Sequence, residues 1–364
     1  MLMKFGEWVL SHSGALPKKL VLEISTSCNL RCRHCFRNAF GIEPRHAPMS
    51  LVESVAEQCS RIGIERVMLS GWGEPTTHPR FLDIVWALRE RGIEVAVNTN
   101  GTTLAKYARE LVEAGVSEIM VSLDGFSEES YAAMRGYPIE RVLEGLEVLA
   151  SERSSRSARR PRLVIHFVAT RQNVRDLAQF PEFARRYAVS RLEVSHLIPL
   201  DPSMEREMAC FSDHKCVEEL ERIGREISKY MFSHYFEVQL PRNRPSVERR
   251  CPYARELATF VTVDGYVAPC IFYAHPSTHS FDEVKRTINP IYFGRVEEGL
   301  DRVWKRRSYA EFRLRAALSL MPSCLDCHLA KYCEPTLSNE KDCWGNSPTC
   351  SHCPYSHRLA TCPL

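Results

Sequence analysis

The sequence predicts an α/β fold built on a parallel sheet, and three observations carry that prediction. Short apolar runs rich in β-branched residues alternate with amphipathic helical stretches. The runs are apolar almost throughout, as strands covered on both faces are. The polar and glycine residues gather where those runs end. The strand-type runs are Leu20–Ile24, Val67–Ser70, Val95–Thr99, Ile119–Leu123, Leu163–Ala169 and Leu192–Leu197. The helical stretches are Ser50–Ile62, Arg80–Arg91, Leu104–Ala114, Ile139–Ser151, Asn173–Tyr187 and Val217–Tyr230. Strand and helix alternating in this way imply right-handed βα crossovers, in an open doubly wound sheet or a partial barrel. In either arrangement ligands bind at the carboxyl ends of the strands. Those ends read Ser25-Thr26-Ser27-Cys28, Ser70-Gly71-Trp72-Gly73-Glu74, Asn98-Thr99-Asn100-Gly101 and Ser122-Leu123-Asp124-Gly125. Gly and Asn there permit positive φ and a close approach of backbone to ligand.

Bulk properties narrow the class. A formal net charge of +3 over 364 residues gives no reason to expect nucleic acid or an anionic membrane as partner. The basic run Arg153–Arg162 reads as a solvated loop rather than a docking patch. Met1–Gly14, with Lys4, Glu7 and His12, lacks the apolar core of a signal peptide. No apolar stretch is long enough to span a bilayer. A cytoplasmic protein is expected.

Fifteen cysteines are then unusual. A reducing compartment disfavours a disulfide framework and favours metal binding by clustered thiols. Three cysteines fall between Cys28 and Cys35, and nine lie from Cys251 onward. Cys59, Cys210 and Cys216 stand apart and read as ordinary thiols. After about Leu240 the strand–helix pattern gives way to Cys, Pro and Gly, with Pro241, Pro245 and Pro252 breaking it. The expected organisation is an N-terminal extension over 1–17, an α/β core over 18–240 and a metal-stapled, loop-rich domain over 241–364.

Cys28-Asn29-Leu30-Arg31-Cys32-Arg33-His34-Cys35 directly follows the first strand with C-x3-C-x2-C spacing. Chance places that spacing in a few per cent of chains this rich in cysteine, so it is suggestive by itself. A structural zinc ion would need a fourth ligand, and His34 sits awkwardly between two of the others. Three thiolates suit a [4Fe–4S] cluster with one iron left open to an external ligand.

Here the sequence resembles the radical S-adenosylmethionine (SAM) superfamily. Gly71-Trp72-Gly73-Glu74-Pro75 resembles that family's G-G-E-P element, with Trp72 in place of the first glycine. The resemblance covers roughly Lys18 to Leu200 and implies a partial (β/α)6 barrel. It implies that Cys28, Cys32 and Cys35 ligate the SAM-binding cluster, whose electron cleaves SAM to methionine and a 5′-deoxyadenosyl radical. It implies SAM contacts from Gly71, Gly73, Glu74, Ser122 and Asp124, with Asn100 and Arg135 as further candidates. For each lone polar residue the alternative is a turn or cap role.

The C-terminal cysteines extend the resemblance. Cys251, Gly265 and Cys270, then Cys324-Leu325-Asp326-Cys327 and Cys333, resemble the SPASM extension, which carries one or two auxiliary [4Fe–4S] clusters. The next cysteine of that pattern falls at Leu337, so Cys343, Cys350, Cys353 and Cys362 compete for the remaining ligand places. A zinc ribbon of Cys324, Cys327, Cys350 and Cys353 is the alternative. The tail, with Cys343-Trp344-Gly345-Asn346, Pro348-Thr349-Cys350-Ser351-His352-Cys353 and Cys362-Pro363, resembles maturases of tungsten-cofactor (aldehyde ferredoxin) oxidoreductases. The resemblance implies a substrate protein, peptide or pterin cofactor, and a low-potential electron donor such as ferredoxin or flavodoxin. The rival enzyme class is a ribosomal-peptide or sulfatase maturase. Sulfatase maturases carry Asp after the cysteine matching Cys270, where this chain has Ile271. A non-catalytic iron–sulfur electron carrier is the rival outside enzymes, although a carrier has no need of a SAM pocket.

Overall fold

A computed structural model describes residues 2–5, 8–11 and 14–364. Within the expected N-terminal extension, Glu7 and His12 lie outside the described residues. The extension contributes β1 (Leu2–Phe5) and β2 (Trp8–Ser11), an antiparallel pair.

The six apolar runs form β3 (Lys19–Leu22), β4 (Arg66–Leu69), β5 (Glu94–Thr99), β6 (Glu118–Ser122), β7 (Arg162–Ala169) and β8 (Arg191–His196). Each pairs in parallel with the next. A seventh parallel strand, β9 (Glu237–Gln239), follows β8. Its three residues are too few to leave a periodic signal.

The cysteine-rich segment adds β10 (Ala258–Val261), β11 (Tyr266–Ala268), β12 (Ser277–Phe281), β13 (Val284–Ile288) and β14 (Gly294–Arg295). β12 and β13 form a separate hairpin. β10 pairs in parallel with β3, setting Ala258 opposite Lys19, and β11 and β14 continue outward antiparallel. The main sheet therefore has ten strands in the order β14-β11-β10-β3-β4-β5-β6-β7-β8-β9 and runs unbroken across residue 240.

Alternation along the strands sorts the core into two faces. Leu20, Leu22, Val67, Leu69, Val95 and Val97 belong to the large cluster, together with apolar residues of the helices. Val21, Met68 and Ala96 belong to a second cluster, with Tyr253, Ala258 and Phe260 of the C-terminal segment. That segment thus fills the opposite face of β3–β5.

Several helices escaped the periodicity reading, among them Leu300–Lys305 and Arg307–Ala317 in the segment expected to be loop-rich, and two in the α/β core. One spans Glu128–Arg135: the Ser127 hydroxyl accepts the Ser130 N–H at its start, and Gly136 at φ 64° ends it. The other spans Pro202–Met208. Cys210 and Cys216, expected to be separate thiols, are joined as a disulfide. Between them Asp213 caps the helix His214–Ser228 by accepting the Cys216 N–H. That turn folds Cys216 back to within 5.2 Å of Cys210, Cα to Cα. Cys59 is a free, buried thiol. The basic run is charge-paired: Arg156 bonds Glu113 and Glu152, and Arg160 lies 3.0 Å from Glu94. No described helix is long and apolar enough to cross a membrane.

Candidate active site

The loop leaving β3 is braced before it reaches the cysteines. The Ser25 hydroxyl accepts the Ser27 N–H at 3.0 Å, and the Thr26 hydroxyl accepts the Arg45 N–H at 2.9 Å. Cys28, Cys32 and Cys35 follow as free, half-buried thiols. The Cys35 N–H donates to the Cys32 carbonyl at 3.3 Å, and the Leu30 N–H to the Cys28 sulfur at 3.4 Å. Burial pushes the Cys28 thiol up to about 11, and Glu74, Cys32 and Cys35 add to the rise. Burial likewise raises Cys32, against the pull of Arg135. Gathered sulfurs of this kind gain from a cationic centre, which the irons of a cluster supply. Among the described residues no three His, Cys, Asp or Glu donors stand close enough to hold one metal ion. A cubane, which holds each thiolate on a different iron, spaces its ligands more widely.

The turn after β4 has two glycines that nothing larger can replace. A Cβ on Gly71 would lie 2.4 Å from Cγ of Glu23, and one on Gly73 would lie 2.3 Å from the Ser25 carbonyl oxygen. The Glu74 N–H reaches the Ser27 carbonyl at 2.7 Å, locking this turn to the cysteine loop. Gly73→Ala is expected to push the two loops apart and weaken SAM binding at least tenfold (~1.4 kcal/mol). Equilibrium dialysis with labelled SAM on reconstituted protein measures this, and unchanged affinity would refute the cradle.

Glu74 was expected to face SAM, and its side chain is otherwise engaged. Its Oε1 accepts from the Thr76 N–H and hydroxyl and from the Thr99 hydroxyl, and its Oε2 from the Asn100 N–H at 2.6 Å. Buried and doubly occupied, it braces the turn. Asn100 is spent in the same way. Its amide donates to Asn29 at 2.8 Å, and its Oδ1 accepts from Thr102.

Asp124 is also fully buried. Its Oδ1 accepts the Val168 N–H at 2.9 Å, and its Oδ2 meets Arg135 Nε at 2.5 Å. Burial pushes the Asp124 carboxyl up, but the Arg135 guanidinium beside it holds it below the usual carboxylate range. The Arg135 guanidinium lies 3.7 Å from the Cys32 sulfur. His34 Nε2 is 3.5 Å from the same Asp124 oxygen, yet burial holds its imidazole down at about 4, so it is neutral at pH 7. Asp124 thus acts through Arg135, which sets a fixed positive charge beside a cluster thiol.

A cavity of about 250 Å³, open to solvent, lies beside these residues, near the lower end of the small-molecule range. Of the expected residues, Cys32, Cys35, Gly71, Ser122 and Arg135 line it, whereas Cys28, Gly73, Glu74, Asn100 and Asp124 stand behind the wall. Sequence reasoning missed several lining residues. His166 and Glu193 are among them: they are register partners of the expected Ser122 across β6, β7 and β8, and all three line the cavity. His166 Nε2 lies 2.9 Å from the Ser195 hydroxyl, which also accepts the Thr361 N–H at 2.9 Å. Through that bond the C-terminal tail is tied to the barrel, and Ile271, Phe272, Tyr355, Thr361 and Pro363 complete the wall. Glu23, also missed, is buried at the end of the first strand run. It accepts the Trp72 N–H and faces His275 Nε2 at 2.8 Å. An acid inside an apolar run was the signal for it.

The nine C-terminal cysteines fall into two groups. Cys251, Cys270, Cys350 and Cys353 line one mostly apolar cavity. Burial raises the Cys270, Cys350 and Cys362 thiols well above the usual range, and the charges of Cys251 and Cys353 raise all three further. Cys343 instead feels Cys333 and Cys327, and Cys324 feels Cys343. The residues left open between the two auxiliary sites thus separate, with Cys343 on one side and Cys350, Cys353 and Cys362 on the other.

Comparison with known proteins accords with this arrangement. Residues 22–184 match the Radical SAM superfamily, and residues 251–328 match SPASM, an iron-sulfur cluster-binding domain. The tungsten-containing aldehyde ferredoxin oxidoreductase cofactor-modifying protein of Pyrococcus furiosus is 29% identical over 354 residues, 95% of this chain and 97% of the relative. Among solved structures, Streptococcus suis SuiB bound to its precursor peptide SuiA superimposes with a TM-score of 0.64 at 18% identity, over 88% of this chain and 71% of that one. Native anSMEcpe with bound AdoMet gives 0.61 at 16% identity, over 94% and 93%. The chain belongs to the radical SAM enzyme superfamily and carries a SPASM auxiliary-cluster domain.

Proposed function

We propose that this enzyme matures a tungsten-containing oxidoreductase by modifying its pterin cofactor. The observation that carries this reading is the match to the Pyrococcus furiosus cofactor-modifying protein over 95% of this chain and 97% of that one. When bound at Cys28, Cys32 and Cys35, a reduced cluster with SAM supplies a 5′-deoxyadenosyl radical that abstracts hydrogen. The chain's own residues do the rest. Gly71 and Gly73 let the turn after β4 pack against Glu23 and the cysteine loop, which holds the SAM cradle in shape. Arg135 holds positive charge at Cys32. Phe272 and Tyr355 close the wall so that water and quenchers stay out. Cys251, Cys270, Cys350, Cys353 and Cys362 offer thiols for one auxiliary cluster, and Cys324, Cys327, Cys333 and Cys343 for the other. A low-potential donor such as ferredoxin or flavodoxin would deliver electrons. Peptide maturation of the sulfatase type is disfavoured because Ile271, on the cavity wall, offers no acid–base group.

Producing the oxidoreductase with and without this protein tests the reading. A changed cofactor mass and a gain in activity are expected in its presence. Identical cofactor mass and activity in both preparations would reject it.

A further inference from the structure

Glu193 is the one acid that both lines the cavity and has an oxygen to spare. It is 4% exposed. Its Oε1 is held by Arg191 Nε at 2.7 Å, while its buried Oε2 has no hydrogen-bond partner. Arg191 is shared with Glu118 at 3.2 Å, and Glu118 with Arg66 at 2.8 Å. The four side chains form an alternating, charge-balanced row that fixes the carboxylate in place. The wall around it mixes apolar Met120, Val168, Ile271 and Phe272 with the polar His166 and Thr361. A carboxylate oxygen kept from water without a donor is costly, so a ligand that supplies donors there is favoured.

Glu193, Tyr355 and Thr361 also line a second, solvent-open cavity of about 680 Å³. It contains Arg250, Arg255 and Arg358, all exposed, and none is ion-paired with a described carboxylate. Its one further acid, Glu256, is paired with Lys19. The two cavities adjoin at Glu193, with an acceptor on one side and a cluster of cations on the other.

We propose that Glu193 recognises substrate by accepting the adjacent ring N–H and exocyclic NH₂ of a pterin-type ring, whose phosphate end lies toward Arg250, Arg255 and Arg358. The inference rests on the maturase reading and specifies its substrate. The two donors of a pyrimidinone edge sit side by side, matching one carboxylate. An extended peptide presents its N–H groups on alternate sides and does not. An arginine side chain has the right donors, but the three external arginines repel it. A phosphate ester is attracted to them instead.

The test uses reconstituted full-length protein with SAM and three probes: neopterin monophosphate, neopterin, and the monophosphate of the matching lumazine, which has oxygen in place of the NH₂ group. Wild-type protein is expected to bind the pterin at least about tenfold more tightly than the lumazine, the scale of one hydrogen bond to a charged group. Glu193→Gln is expected to bring that preference to near unity, while Glu193→Asp, which keeps the charge, retains part of it. Replacing Arg250, Arg255 and Arg358 by alanine is expected to remove the advantage of the phosphate and leave the pterin preference intact. Iron content equal to wild type shows that each variant is folded. No preference in the wild type, or full preference in Glu193→Gln, would overturn the assignment. An unchanged phosphate advantage in the arginine variant would overturn its outer half. A pterin preference that depends on Glu193 while the co-produced oxidoreductase is unaltered would support this site and sink the maturase reading. An altered cofactor without the preference would do the reverse.

Discussion

Replacing Cys28, Cys32 and Cys35 together by alanine is expected to abolish 5′-deoxyadenosine formation and to remove about four irons per chain. The three thiols share one loop, braced by Ser25 and Thr26 and locked to the Gly71–Glu74 turn, and no other described cysteine neighbours them. Arg135 then has no thiolate to serve, but Asp124 still pairs with it, so the fold is expected to survive. Iron and sulfide analysis with product chromatography checks the result. Undiminished 5′-deoxyadenosine would sink the assignment of the SAM-binding cluster.

Ending the chain at Ser323 is expected to leave only about four irons per molecule, the complement of one cubane. The cut removes Cys324, Cys327, Cys333 and Cys343. It also removes Cys350, Cys353 and Cys362, which stand with Cys251 and Cys270 although they follow them by some eighty residues or more. Both auxiliary sites are lost together. The cavity also loses Tyr355, Thr361 and Pro363, so SAM cleavage that continues should be uncoupled from substrate. Iron retained well above one cubane would show that the two groups are wrongly drawn. Loss of zinc with sulfide unchanged would establish the zinc ribbon instead.

The sequence was informative where one residue type has one physical use. Apolar runs disclosed β3 to β8, and their polar ends located the rim. The glycines at 71 and 73 were legible because crowding by the Glu23 side chain and the Ser25–Ser27 backbone leaves no alternative. The carboxylates were not. Glu74 and Asp124 sit at the expected places, but whether an acid faces a ligand or braces a loop depends on neighbours such as Thr99 and Arg135, which only the fold assembles. His166 and Glu193 lie inside strand runs, where a polar residue among apolar ones marks a buried polar role, as at Glu23, but not which cavity it faces. The Cys210–Cys216 disulfide was hidden because its closeness comes from a helix cap, not from spacing. Separation of the tail cysteines also required three dimensions.

The parallel pairing of β10 with β3 joins strands about 240 residues apart in the chain. During synthesis β3 is made early, yet its outer hydrogen-bonding edge has no partner until Val261 has emerged. Until then the barrel half carries a bare edge whose residues Leu20, Val21 and Leu22 are apolar, the kind of edge that invites pairing with another chain. Closing so long a loop also raises the contact order and slows the final step of folding. The two halves therefore mature on one clock: cluster insertion at Cys28–Cys35 would meet a finished scaffold only after the auxiliary domain has docked, and expression of the barrel alone invites aggregation.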